Sequence, residues 1–297
     1  MAETGLVSMR RYVLVRAAWQ LALLFVFVSL AYVAAWVLPK ETLGHNPGYG
    51  GFLTDLVHGS LGTFDDGSGA RSSVRSFIWD ATRGTLSLLL VTGIFAVALG
   101  GLLAVVAVRG GRWAVQTVSA VLVSLLPIWV GLYLAIYVGA KWEIVRPAGY
   151  CSLGAGPAGE CHGFWPWLSS LLLPALSLSL YFAAIYARWL ATAFRRYRAE
   201  LQHDPDARPE LRRRHGLAFA KLLARDFGFA IGFATFVEVT FGLPGLGRAV
   251  AVAAFGPNSA LLAGALVAAS VLAAAVSFVV DVACAAVDPR FRAFARR

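Results

Sequence analysis

Five stretches of this chain run for more than twenty residues almost without charge: 17–39, 85–108, 114–140, 164–187 and 259–287. A helix rising about 1.5 Å per residue needs about 20 residues to cross a hydrocarbon core about 30 Å thick. A sixth stretch, 227–241, is shorter and carries Glu238. Backbone polar groups in lipid must be satisfied internally, so only helices and closed barrels cross it. These runs lack the alternating apolar and polar pattern of barrel strands. The expected fold is therefore all-α and polytopic, with six transmembrane helices. Composition agrees: 59% of the 297 residues are hydrophobic and only 14% charged, which excludes a soluble globule and extended disorder alike.

The charges that remain give the orientation. With the N-terminus inside, 19 of the 26 Lys and Arg residues fall on the inner side and 7 on the outer, so both termini are expected to be cytoplasmic. This divides the chain into a cytoplasmic tail, 1–16, a transmembrane domain, 17–287, and a second cytoplasmic tail, 288–297. Within the domain, segments 40–84 and 141–163 are external and 188–225 is cytoplasmic. The net charge of +10 then reflects topology and anionic lipid rather than a nucleic-acid partner. The first apolar run is too long for the core of a secretory signal, so an uncleaved first helix is expected.

Few residues offer chemistry. The five histidines are scattered, no metal-ligand spacing appears, and no nucleophile or phosphate-loop motif is present. No catalytic residue and no metal site are assigned. Cys151 and Cys161 share one external loop, where either a disulfide or two free thiols fits. Cys284 reads as a small residue of the last span. An amphipathic stretch at 52–61 predicts a short interfacial helix, either lining an external vestibule or simply connecting spans.

The basic segment 188–225 reads as a helix continuing out of the fourth span, broken at Asp204-Pro205-Asp206 and restarted at Pro209. Pro209 suits a first helical turn, and Glu210 suits the N-terminal dipole. Gly216 would then cap a short helix. Two acids lie in or beside spans, where charge is costly unless it faces protein or water. Glu238 either contacts solute or an external gate, or anchors the turn that follows it. Asp281 is expected to pair with an arginine as a structural intramembrane acid. The turn 242–247 and the apolar segment after it either dip back toward the membrane as a scoop or form a surface turn joining the fifth and sixth spans.

Several motifs resemble the oligopeptide/dipeptide (and nickel)-type ABC importer permeases, the first-permease branch of the binding-protein-dependent inner-membrane components. His58-Gly59-Ser60-Leu61-Gly62-Thr63 is similar to that family's RGDLGxS element, with His58 and Ser60 replacing its Arg and Asp. Thr85-Leu86-Ser87-Leu88, Leu173-Pro174-Ala175-Leu176-Ser177-Leu178 and Ala187-Arg188 also match. Glu238-Val239-Thr240-Phe241-Gly242-Leu243-Pro244-Gly245-Leu246-Gly247 resembles ETVFxxPGLG. Val280-Asp281 and Asp288-Pro289-Arg290-Phe291-Arg292 resemble the VD…LDPRxR terminus.

The resemblance implies a type I importer half in the bacterial inner membrane. Its expected partners are a second, related permease, two cytoplasmic ATPases, an extracytoplasmic solute-binding protein and membrane lipid. No cofactor is expected on this chain, since ATP and magnesium belong to the ATPase subunits. The implied cargo is peptide, with nickel chelates or another small solute as the alternative, and a non-transporting scaffold as a third reading. Glu210, Leu211, Arg212, Arg213, Arg214, His215 and Gly216 keep the spacing of the family's EAAxxxG coupling motif, with Leu211 and Arg212 in place of both alanines. Gly216 stands only 22 residues before Glu238, closer than is usual in the family. The coupling element therefore either lies at 210–216 before a trimmed helix or starts nearer 193–200. Glu238, Gly242, Pro244, Gly245 and Gly247 are the expected residues of the path or gate.

Overall fold

The computed structural model describes residues 3–37, 48–65, 71–142, 150–151, 161, 163–256 and 258–287. Among these, four helices are individually long and apolar enough to cross a membrane, and two bent helix pairs bring the count to six when each pair is taken as one span. The first helix, α1 (Glu3–Tyr32), ends in a π-helical turn, Val33–Val37. Large apolar side chains, among them Leu14, Trp19, Leu21, Phe25 and Leu30, stand exposed along it. In water so continuous an apolar surface would be an aggregation liability; along a span it is the surface that lipid covers.

Between the first and second spans lie α2 (Gly48–Val57) and a small antiparallel hairpin, β1 (Thr63–Asp65) and β2 (Arg71–Ser73), paired Thr63↔Ser73 and Phe64↔Ser72. The amphipathic helix thus starts and stops earlier than 52–61. The chain turns at Gly59, whose φ is +70°, and the amide of Ser60 bonds back to the Asp55 carbonyl at 2.8 Å. Phe52 anchors α2 by burying its ring against Trp36 and Tyr32 at the end of the first span, with centroids 5.3 and 5.6 Å away.

Helix α3 (Val74–Val108) begins well before residue 85, so residues 74–84 belong to the span's helix rather than to the external loop. The next run, 114–140, is not one straight helix. It forms α4 (Arg112–Ser124), α5 (Pro127–Tyr133) and a π-helical stretch, Leu134–Lys141, with a 90° bend between the two halves. Pro127 explains the break: its ring disfavours helical backbone in the residue before it, and Leu125 and Leu126 are both extended.

Helix α6 (Phe164–His203) continues from the fourth span through residue 203, as expected. Pro174 lies inside it, flanked by buried Leu173 and Ala175, and its carbonyl accepts the Ser177 hydroxyl at 2.7 Å. Neighbouring packing and serine hydroxyls are what let proline persist within a membrane helix. Asp204 then ends α6, and its carboxylate accepts the Asp206 amide over a 3₁₀ turn, Pro205–Ala207.

From there α7 (Arg208–Phe241) runs without interruption, which corrects the expected short helix capped at Gly216. Packing overrides the glycine's poor helix propensity. Phe219, one turn further on, packs its ring on Tyr186 and Trp189 of α6, with centroids 5.6 and 5.3 Å apart. After a bend of 73° comes α8 (Leu246–Phe255), and α9 (Ser259–Val287) completes the described chain.

The core has two main parts. One is built on α3, α6 and α7, around Leu88, Leu171, Leu178, Phe182 and Val237. The other joins α1, α2 and the start of α3 to α8 and α9, around Phe52, Val74, Ile78, Leu246 and Leu261. The α3–α6 pair is the most extensive helix contact.

Candidate functional site

The two parts of the core meet at the start of α8. A helix begins with amide groups that have no partner of their own, and here the N-cap residue, Gly245, has no side chain to offer. Two residues distant in sequence supply the acceptors. The amide of Leu246 donates to the Thr85 hydroxyl at 2.8 Å, and that of Arg248 donates to Glu238 Oε2 at 3.0 Å. The Thr85 hydroxyl in turn donates to Glu238 Oε1 at 2.7 Å. Glu238 is 0% exposed and Thr85 1%. A carboxylate at a helix N-terminus is also favoured by the helix dipole. One buried acid from α7 and one hydroxyl from α3 thus cap α8 together.

The surrounding backbone is fitted closely to this knot. A Cβ on Gly245 would lie 2.2 Å from the Glu238 carboxyl carbon, and one on Gly247 would lie 2.3 Å from the Thr235 Cα. Gly242 ends α7 in the left-handed region at φ 68°, a conformation glycine adopts without steric cost. The Leu243 amide bonds back to the Glu238 carbonyl at 2.9 Å, and the Arg248 guanidinium reaches the Gly242 carbonyl. Glu238, Gly242, Gly245 and Gly247 therefore form one local unit, with Pro244 between them. Of the two readings of Glu238, this geometry matches the anchor of the following turn. Helix α8 ends at Phe255, which is 96% exposed.

The residues expected to couple lie at the opposite end of α7. They do not share one face. Leu211 is buried, Arg212, Arg214 and Gly216 are exposed, and Arg213 is half-buried in an ion pair with Glu210. His215 packs edge-on to Tyr197 of α6, with centroids 6.1 Å apart, and Arg214 lies 3.8 Å from Glu200. The segments 193–200 and 210–216 are thus the two arms of a single helical hairpin whose tip is the turn at Asp204–Ala207.

Asp281 of α9 accepts a hydrogen bond from Arg16 Nε of α1 at 2.6 Å, the expected arginine pairing. Cys151 and Cys161 are joined by a disulfide, and Cys284 is a buried thiol outside that disulfide, its Sγ 4.0 Å from the Leu217 carbonyl oxygen. Asp288, the Asp288–Arg292 motif and the tail 288–297 lie outside the described residues.

Two residues escaped the sequence reading. Thr85 stood within a matching motif but had no assigned role; the only signal was a hydroxyl at the start of an apolar run. Asp226 lies one residue past the basic segment 188–225 and was given no reading. It is 4% exposed, accepting from Arg225 Nε at 3.0 Å, and its second oxygen has no partner among the described residues.

Known proteins now bear on this geometry. The family of binding-protein-dependent transport system inner membrane components matches residues 217–293. A probable peptide ABC transporter permease protein of Sinorhizobium fredii (strain NBRC 101917 / NGR234) is 29% identical over 225 residues, covering 70% of this chain and 69% of that protein. The chain is an ABC-transporter permease. As such it is a multi-pass inner-membrane protein. The family match takes in most of α7, with α8 and α9, so the permease's Glu238 cap lies inside it, whereas Glu210–Gly216 falls just before its start.

Proposed function

We propose that the permease forms half of the translocation path of an ATP-driven importer of peptides. In this reading an extracytoplasmic binding protein delivers the peptide, a related permease completes the path, and two cytoplasmic ATPase subunits supply the energy. The name of the Sinorhizobium fredii relative supports peptide as the cargo. The disulfide between Cys151 and Cys161 supports an outward position for that loop, because such bonds persist in oxidising compartments. Both termini and the arginine-rich hairpin then face the cytoplasm.

One observation carries the mechanism: α7 is a single helix from the hairpin tip to Glu238. Its 34 residues span about 51 Å at about 1.5 Å per residue, and α6, at 40 residues, is about twice as long as the hydrocarbon core is thick. Both helices therefore extend beyond the bilayer. A push on the tip by closing ATPases moves α7 as a rod, and Glu238 at its far end carries α8 with it. In this role α8 is the gate, Glu238 and Thr85 are the link, and exposed Arg212 with the neighbouring tip residues meets the ATPase.

The test is co-isolation of the ATPase subunits with the affinity-tagged permease from native membranes. Arg212→Glu combined with Arg213→Glu is expected to abolish ATPase recovery while the permease still inserts and keeps its disulfide. Full ATPase recovery with the double variant contradicts the assignment.

A further inference from the structure

A cleft of about 680 Å³ opens where α6 leaves its apolar stretch, walled by α6, the first turns of α7 and Val123 of α4. This volume lies within the range of small-molecule sites. Its lining mixes two chemistries. Val123, Ile185 and Trp189 supply its large apolar surface, and Arg188, Arg196 and Arg214 its positive charge.

Arg188, Thr192 and Arg196 follow at intervals of four along α6, so they share one helix face, and Arg214 approaches from α7. Three guanidinium groups on one cleft repel each other, and little of this charge is answered among the described residues. Glu200 lies 3.8 Å from Arg214 in an exposed pair, which is worth little. Neither Arg188 nor Arg196 has a carboxylate partner among the described residues. His215, also on the lining, has a buried Nε2 atom without a hydrogen-bond partner among those residues.

Depth narrows the occupant. Arg188 is the first charge after the uncharged run 164–187, so along α6 Ile185 falls at the edge of the apolar stretch and Arg188, Trp189 and Arg196 follow at the level of the membrane surface and beyond. Basic pockets between membrane helices at that level suit lipid phosphate, and tryptophan favours the same level. An acidic protein segment would satisfy the arginines but not the apolar wall. We infer that this cleft seats one anionic phospholipid, its phosphate among Arg188, Arg196 and Arg214 and an acyl chain along Ile185 and Val123. The inference goes beyond the transport reading and does not depend on the cargo.

The experiment is native mass spectrometry of the full-length permease, with whatever subunits co-isolate, stripped of lipid in detergent and titrated with phosphatidylglycerol or phosphatidylcholine. Wild type is expected to hold phosphatidylglycerol at about tenfold lower concentration than phosphatidylcholine, and Arg188→Gln/Arg196→Gln/Arg214→Gln to lose the preference. Arg188→Gln alone is expected to lose part of it, which keeps the test open if the triple variant fails to fold. Arg195→Gln/Arg198→Gln/Arg208→Gln removes the same charge from exposed positions off the cleft and is expected to keep the preference. Equal loss in this control overturns the site, as does an undiminished preference in the triple variant. Displacement of phosphatidylglycerol by millimolar inorganic phosphate makes it a free-phosphate site instead. A triple variant that binds lipid normally but loses its ATPase partners makes it a protein seat, and so also refutes the inference.

Discussion

Replacing Glu238 with alanine removes the acceptor for two donors at once, the buried Thr85 hydroxyl and the part-buried Arg248 amide. Each buried donor left without a partner costs about 1–3 kcal/mol. The space vacated beside Gly245 adds a cavity cost, so the start of α8 is expected to lose about 3–5 kcal/mol of local stability. Glu238→Gln retains one acceptor oxygen and presents an amide to the other donor, for a loss of about 1–2 kcal/mol. The assay is hydrogen exchange of peptides covering 246–255, measured on the purified complex. A loss of about 3 kcal/mol corresponds to roughly hundredfold faster exchange when opening is local. Because Thr85 belongs to the same network, Thr85→Val combined with Glu238→Ala is expected to fall well short of the sum of the single effects. Unchanged exchange at 246–249 in Glu238→Ala, or full additivity in the double variant, refutes the idea that these two residues cap α8.

Other consequences are open to simpler checks. Gly245→Ala drives a methyl into the Glu238 carboxylate and is expected to lower the thermal transition by an amount equivalent to about 1–3 kcal/mol of overpacking, read by a melt in detergent. Arg16→Asp or Asp281→Arg alone should reduce the yield of folded protein by placing like charges between α1 and α9. The combined swap should restore it in a size-exclusion assay. Alkylation of the unfolded chain without reductant should modify Cys284 only, and reduction first should add two further labels from Cys151 and Cys161.

Most of the architecture was legible because lipid imposes so simple a rule: uncharged runs of sufficient length become helices. The run 259–287 reappears residue for residue as α9. Boundaries near charge were harder. Arg75 and Arg83 concealed the early start of α3, since arginine stems reach the interface while the backbone stays helical. Pro127 was visible inside 114–140, but sequence does not say whether a proline in a span kinks or breaks it. Packing on the facing helix decided that α7 passes through Gly216, and facing helices are not adjacent in sequence.

At the site, the turn 242–247, where the chain bends by 73°, was readable as a break between helices. The partnership of Thr85 with Glu238 was not, since it joins residues 153 positions apart. Asp226 was missed for a related reason: nothing in the sequence around a carboxylate beside Arg225 signals burial, and only the fold buries it.

The central claim is that this permease carries solute using energy released in separate ATPase subunits. Uptake of radiolabelled peptide, presented with its binding protein to proteoliposomes holding the complete complex, tests it most directly. Uptake should require ATP on the side of the arginine-rich hairpin and should disappear in Arg212→Glu/Arg213→Glu liposomes. Peptide accumulation that proceeds equally without the ATPase subunits, or in that double variant, contradicts the account.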